Sequence, residues 1–246
     1  MINPIGDDFV KRYRLEYNRE ALEGVRDKIK EKAYSRLRDL LEYRLTGREF
    51  DRSPTGMRIA LAFSAGSDST ASLKILRWAG FEVVPITARL PQMRPEEIGR
   101  ASREGAVFVE IQGYGDEMKE LMEKRAPICG RCHSMVMNAM EEKAIELGVG
   151  ILATGDLLSS GLISVYPKGE LVILNLPAFL ALDKGEVVET TGGRYDFSFG
   201  CRLWKLAARD NPSIKRYGIQ RVLRETRARA LRPEMAVKLI EDILLS

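Results

Sequence analysis

The sequence predicts an α/β protein: a parallel sheet with helices on both faces and helical additions at its two ends. Three observations lead there. From Met57 short apolar runs alternate with amphipathic stretches, Gly80, Gly105 and Gly148 fall where helices should stop, and the apolar run Ile59 to Phe63 passes straight into the small residues Ser64-Ala65-Gly66-Ser67. Repeated strand and helix units of this length set their strands parallel and cover both faces of the sheet. A glycine just past a helix adopts the left-handed conformation that ends it.

Residues 8–46 read as a helical preface. Leu22, Val25, Ile29, Ala33, Leu37 and Leu40 recur at helical spacing with charges between them, and the pattern predicts two helices broken near Asn18. Thr46-Gly47 and Ser53-Pro54-Thr55-Gly56 then supply turn chemistry. Strand 57–63, helix 69–79, strand 82–87, helix 95–104, strand 106–111, helices 116–124 and 132–147 and strand 150–154 follow. Two β-prone runs come next, at 162–166 and 171–175, and a helical tail runs from Cys201 to Ser246. Asn211-Pro212-Ser213 punctuates that tail and Pro233 is placed to start its last helix. The expected organisation is a helical segment 1–56, an α/β domain 57–200 and a basic helical segment 201–246.

With 246 residues, 45% hydrophobic and 30% charged, the chain has the composition of a soluble globular protein, not of a disordered or collagen-like one. Its longest apolar stretch, Leu171 to Leu182, is interrupted by Asn175 and Pro177, and Met1 to Tyr13 carries charges where a signal peptide needs an apolar core. A cytoplasmic location without membrane contact is therefore expected. The net charge of +4 hides an asymmetry: Lys and Arg against Asp and Glu stand at 12 to 10 over residues 1–50, 16 to 20 over 51–201 and 11 to 5 over 202–246. Such a tail suits a polyanionic partner, since basic clusters displace counterions from phosphates. It equally suits an ion-paired helix surface.

In Ser64-Ala65-Gly66-Ser67-Asp68-Ser69, small side chains allow backbone N–H groups to approach a phosphate, and a helix starting near Ser69 adds free donors and a favourable dipole. The loop has no lysine, so it is not a Walker A loop. It resembles the signature Ser-Gly-Gly-x-Asp-Ser of the PP-loop ATP-pyrophosphatases, and the likeness covers about residues 57–156. That resemblance implies a Rossmann-like nucleotide hydrolase core that cleaves ATP between the α and β phosphates, with Ser64, Gly66, Ser67 and Ser69 holding phosphates and Asp68 orienting the loop or helping to bind Mg²⁺. Ala65 stands where the family has its first glycine, a small cost if φ is negative there, and it narrows the cradle. A second match is Leu152-Ala153-Thr154-Gly155-Asp156, where many members read Ala-Thr-Gly-His-Asn before paired acids. Thr154 and Gly155 match as nucleotide-binding positions. Asp156 replaces the histidine, and Leu157-Leu158-Ser159-Ser160 has no acidic pair.

Only three cysteines occur, Cys129 and Cys132 in a C-x-x-C and Cys201 far downstream. Thiolates at the start of a helix suit a metal or a redox pair. This arrangement resembles the iron–sulfur-dependent tRNA 2-thiolation enzymes of the same superfamily, which implies Cys129, Cys132 and Cys201 as ligands of a [4Fe–4S] cluster with one open iron, although the zinc ribbons common in those enzymes are missing. Zinc held with His133, a persulfide carried by Cys129 or Cys132, a haem attachment at Cys129-Gly130-Arg131-Cys132-His133 and inert buried thiols are the other readings, the haem one lacking any export route. The function this implies is ATP-dependent adenylation and thiolation of a nucleoside in tRNA, with Asp68 and the three cysteines as catalytic groups, sulfide or a sulfur-carrier protein as donor, and room for a homodimer. The alternatives are a small-molecule ligase with zinc at the cysteines, or a nucleotide-binding module without turnover.

Overall fold

The computed structural model describes residues 1–157, 164–193 and 198–246. In chain order its elements are α1 (Phe9–Glu23), a 3-10 turn (Arg26–Lys28), α2 (Glu31–Thr46), β1 (Arg58–Ala62), α3 (Ser67–Trp78), β2 (Glu82–Ala88), α4 (Pro95–Arg103), β3 (Val107–Val109), α5 (Tyr114–Glu123) and α6 (Cys129–Glu146). There follow β4 (Ile151–Thr154), β5 (Val165–Lys168), β6 (Leu171–Asn175), α7 (Leu176–Phe179), α8 (Lys184–Thr191), α9 (Arg202–Asp210), α10 (Ser213–Arg227) and α11 (Pro233–Leu245). The strands form one sheet in the order β3-β2-β1-β4-β6-β5. Every pairing is parallel except that of β5 with β6, so the expected α/β parallel sheet is the fold observed. Gly80, Gly105 and Gly148, each with positive φ, follow α3, α4 and α6 directly or after one capping residue.

The strand order fixes where a ligand can enter. The chain begins at β1 in the interior of the sheet, grows outward through β2 and β3, and returns to the other side of β1 with β4. β1 and β4 are thus neighbours from which the sheet grows toward opposite edges, and in open α/β sheets ligands bind at the carboxyl ends of such a pair.

One face of the sheet is covered by α1, α2, α3, α7 and α8, whose Leu15, Leu37, Leu73, Phe179 and Val187 are buried in a single cluster with Ile59 and Leu61. On the other face Met140 and Ala144 of α6 pack on Ala60, Ile86, Leu152 and Ile173. A smaller cluster unites the tail with α5 and the start of α6, through Trp204, Val222 and Ile243 against Tyr114, Met118 and Ile128. No helix among the described residues is long and apolar enough to cross a membrane.

Two expectations need correction. The preface does not break at Asn18: α1 runs through it to Glu23, and the break lies between Gly24 and Lys30. Asn18 is only 2% exposed. Its amide donates to the carbonyls of Ala178 (3.1 Å) and Phe179 (2.8 Å) and its Oδ1 accepts from the Ser164 hydroxyl at 2.6 Å. A polar residue in an apolar stripe here ties α1 to the segment after β6. Helix 132–147 begins earlier than expected, at Cys129, because Cys132 N–H already bonds the Ile128 carbonyl at 2.9 Å. Of the run 162–166, residues 162 and 163 lie outside the described residues, and the strand occupies Val165–Lys168.

Removing the Asn18 side chain leaves the buried Ser164 hydroxyl and the two carbonyls without this partner, at a cost of about 1–3 kcal/mol. Asn18→Ala is expected to lower the midpoint of urea unfolding accordingly. An unchanged midpoint would mean that α1 is held by its apolar contacts alone.

Candidate functional site

The loop Ser64 to Ser69 lies at the carboxyl end of β1, and α3 starts at Ser67 with Gly66 as its N-cap. Gly66 has no side chain to satisfy the first N–H groups of α3. The serines hold the turn together: Ser64 and Ser69 hydroxyls are 3.3 Å apart, Ser69 donates to the Gly66 carbonyl at 3.2 Å, and Gly66 N–H donates to Ser64 Oγ at 3.4 Å. Ala65 is fully buried with φ at +57°. The condition for a cheap alanine is thus not met, since a Cβ in the left-handed region costs roughly 1–2 kcal/mol. Arg100 meets the strained residue from outside, its Nε donating to the Ala65 carbonyl at 3.1 Å.

Thr154 and Gly155 back directly onto this loop from the end of β4. A Cβ on Gly155 would stand 2.8 Å from Ser69 N and 2.9 Å from the Asp68 carbonyl carbon, so only glycine permits the contact. Ser72 bridges the two segments, its hydroxyl 2.9 Å from the Asp68 carbonyl and 3.4 Å from that of Thr154. The buried Thr154 hydroxyl donates to Asn175 Oδ1 at 2.9 Å and accepts from Asp156 N–H at 3.2 Å. Leu158, Ser159 and Ser160, where the sequence lacks the acidic pair, lie outside the described residues.

A residue that sequence reading missed enters the loop from α8. Lys184 Nζ donates to Ser67 Oγ at 2.9 Å and to Asp68 Oδ1 at 2.5 Å. More than a hundred residues separate it from both, and nothing local in Leu182-Asp183-Lys184-Gly185 announces it.

The thiols gather at the start of α6 and of α9. Cys129 opens α6, and Cys201 is the N-cap of α9, its sulfur accepting from Trp204 N–H at 3.4 Å. Cys132 Sγ lies 3.1 Å from the Tyr114 hydroxyl, which also accepts from Gln92 Nε2 at 2.6 Å. Although Cys129 is exposed as a residue, desolvation of its thiol, then the charges of Cys201 and Cys132, push it up to about 11 against the opposing charge of Arg221. Desolvation and Cys201 likewise raise Cys132, while its bond to Tyr114 lowers it. Cys201 thus acts on both thiols of the C-x-x-C. Among the described residues, however, no three His, Cys, Asp or Glu side chains already stand as a metal-ligating group. Alongside lies a groove of about 480 Å³ lined by Gln92, Tyr114, Met118, Met122, Leu203 and Leu206.

Arg221 of α10 pairs with Glu225 at 2.8 Å; desolvation works against its charge, and Glu225, Cys129 and Asp156 outweigh that to raise its pKa. Arg202, Arg224 and Arg227 are exposed and make no ion pair among the described residues.

No family profile matches the chain. It is 30% identical to the uncharacterized protein MJ1638 of Methanocaldococcus jannaschii over 253 positions, covering 96% of this chain and 94% of that protein. The chain belongs to that protein's family. Among solved structures, the U34-tRNA thiolase NcsA of Methanococcus maripaludis, with its [4Fe–4S] cluster, aligns over 87% of this chain and 78% of its own at 12% identity and a TM-score of 0.48.

Ala65→Gly relieves the left-handed alanine while adding freedom to the unfolded chain, which offsets about 0.5–1 kcal/mol of the gain. The variant is expected to melt up to about 3 °C above the native chain. A lower melting temperature would mean that packing of the Ala65 methyl outweighs its backbone strain.

Proposed function

We propose that the chain is an AMP-forming, ATP-dependent sulfurtransferase of the PP-loop kind, which replaces a carbonyl oxygen of a tRNA nucleoside with sulfur. The observation that carries this reading is the turn Ser64 to Ser69 between β1 and α3, on whose Asp68 and Ser69 the Gly155 at the exit of β4 rests directly. The electrostatic influence of Cys129 and Asp156 on Arg221 supports a shared opening for thiols and loop.

The chemistry divides among this chain's residues. Ser64, Gly66, Ser67 and Ser69 would hold the phosphates with hydroxyls and helix-end N–H groups, Ala65 shapes the turn between them, and Asp68 is the carboxylate that would hold Mg²⁺. Thr154 and Gly155 wall the nucleotide. The nucleoside oxygen attacks the α-phosphorus, pyrophosphate leaves, and the carbon now carries an adenylate in place of a poor leaving oxygen. A sulfur at the oxidation level of sulfide, from sulfide itself or from a carrier protein, attacks that carbon. AMP departs with the original oxygen, and no net oxidation occurs.

Three thiols are the donor set that a [4Fe–4S] cluster with one open iron requires, and zinc would need a fourth ligand. In donor chemistry Cys129, Cys132 and Cys201 fit, but as folded they do not yet form a closed ligand group. A cluster bound there would supply an open coordination position for sulfur. The tail is the tRNA-facing surface, with Arg202, Arg224 and Arg227 exposed to phosphates.

Incubated anaerobically with MgATP, sulfide and tRNA, the protein is expected to release AMP and pyrophosphate and to leave a sulfur-for-oxygen nucleoside in the digested tRNA. Asp68→Ala should form neither while keeping its circular dichroism. ADP and phosphate as products would remove the chain from this chemistry. Binding of tRNA should weaken steeply with salt, and replacing Arg221, Arg224 and Arg227 by Ala should flatten that slope by up to about three phosphate contacts; an unchanged slope would assign these arginines to the protein surface alone.

A further inference from the structure

The loop from Ser64 to Ser69 has no cation of its own, and Asp68 would repel a triphosphate. We propose that Lys184 is the phosphate-binding cation of this loop and that the C-terminal tail seats it there, an inference that rests on the nucleotide reading above. Lys184 has little freedom: its side chain is 16% exposed and its ammonium is already between Ser67 Oγ and Asp68 Oδ1. As the first residue of α8, its backbone N–H has no partner within the helix. The Ala230 carbonyl, just after α10, accepts it at 2.8 Å.

The residues on either side of Lys184 are held by the same part of the tail. Arg232 donates from Nε to Asp183 Oδ1 at 3.1 Å. At Gly185 an added Cβ would fall 2.3 Å from Arg232 Cζ, so the guanidinium lies flat against bare backbone. Asp183 in turn caps α8 and accepts from Lys11 Nζ at 3.0 Å. Residues 183, 184 and 185 are thus each fixed by residues 230 and 232, and the side chain that emerges between the two anchors is the one that reaches the loop.

In the folded chain Asp68 and Lys184 neutralise each other. The ammonium beside Ser67 and Asp68 would bond a phosphate oxygen of a bound nucleotide as a point charge once the carboxylate faces the metal that accompanies it. Lys184 would there stabilise the departing pyrophosphate. Arg232 is a positioning residue: it touches no phosphate and acts through the backbone that carries Lys184.

The test is calorimetric titration of the full chain with MgATP, magnesium pyrophosphate and AMP. Lys184→Met is expected to weaken MgATP and pyrophosphate about 10- to 100-fold and to leave AMP unchanged. Lys184→Arg should restore most of the loss, and Arg232→Ala should fall between native and Lys184→Met. Should the methionine variant fail to fold, Lys184→Gln gives the same comparison. Native-like MgATP binding by a folded Lys184→Met or Lys184→Gln overturns the inference alone, as does an equal loss for AMP, which would mark a general collapse of the site. No MgATP binding by the native chain overturns the nucleotide reading and this inference with it.

Discussion

The amino end of α8 is the joint on which the arrangement depends. Asp183 and Glu186 cap it reciprocally, Asp183 Oδ1 accepting from Glu186 N–H at 3.0 Å and Glu186 Oε2 from Asp183 N–H at 2.9 Å. The same two carboxylates receive Lys11 of α1, Arg44 of α2 and Arg232 of the tail. Arg44 is fully buried, with Glu186 at 2.6 Å and the Leu180 carbonyl at 3.1 Å. A buried guanidinium deprived of its carboxylate costs several kcal/mol, so three segments distant in sequence are bound to one turn of helix. Because α8 packs along α3, that turn also meets the loop Ser64 to Ser69, through Lys184.

The loop Ser64 to Ser69 shows two ways in which backbone tolerates close approach. At Gly155 the absence of a side chain lets β4's exit rest on Asp68 and Ser69, and no other residue fits. At Ala65 a side chain is retained in a left-handed conformation, buried, in the turn between β1 and α3. Strain of this sort persists only where surrounding structure over-determines it, here the hydroxyls of Ser64 and Ser69 and the guanidinium of Arg100. The cysteines follow another logic. Cys201 raises the pKa of both other thiols, and at Cys129 the counter-charge comes from Arg221, a residue of the tail.

Much of the fold was legible because it is written in local patterns. Apolar periodicity located α3 through α6 and the strands β1 to β4, and the glycines after α3, α4 and α6 marked their ends. Asn18 misled because polarity in a stripe resembles a breaker unless its partners are known, and those partners, Ser164, Ala178 and Phe179, are about 150 residues away. The φ of Ala65 was open to sequence reading only as a condition, since alanine is compatible with either sign and the surrounding turn decides.

By itself the sequence determined the α/β class, the strand-loop-helix around Ser64 to Ser69 and the surplus of charge on the tail, because each depends on residues within one or two helical turns. The tertiary structure alone decided that β4 returns beside β1, that Gly155 bears on Asp68, that Cys201 comes into the field of Cys129 and Cys132, and that Lys184 reaches Ser67 and Asp68. Those are pairings across long loops of chain, and no local propensity encodes them; they follow from which apolar faces can be buried together once every helix has to cover one sheet.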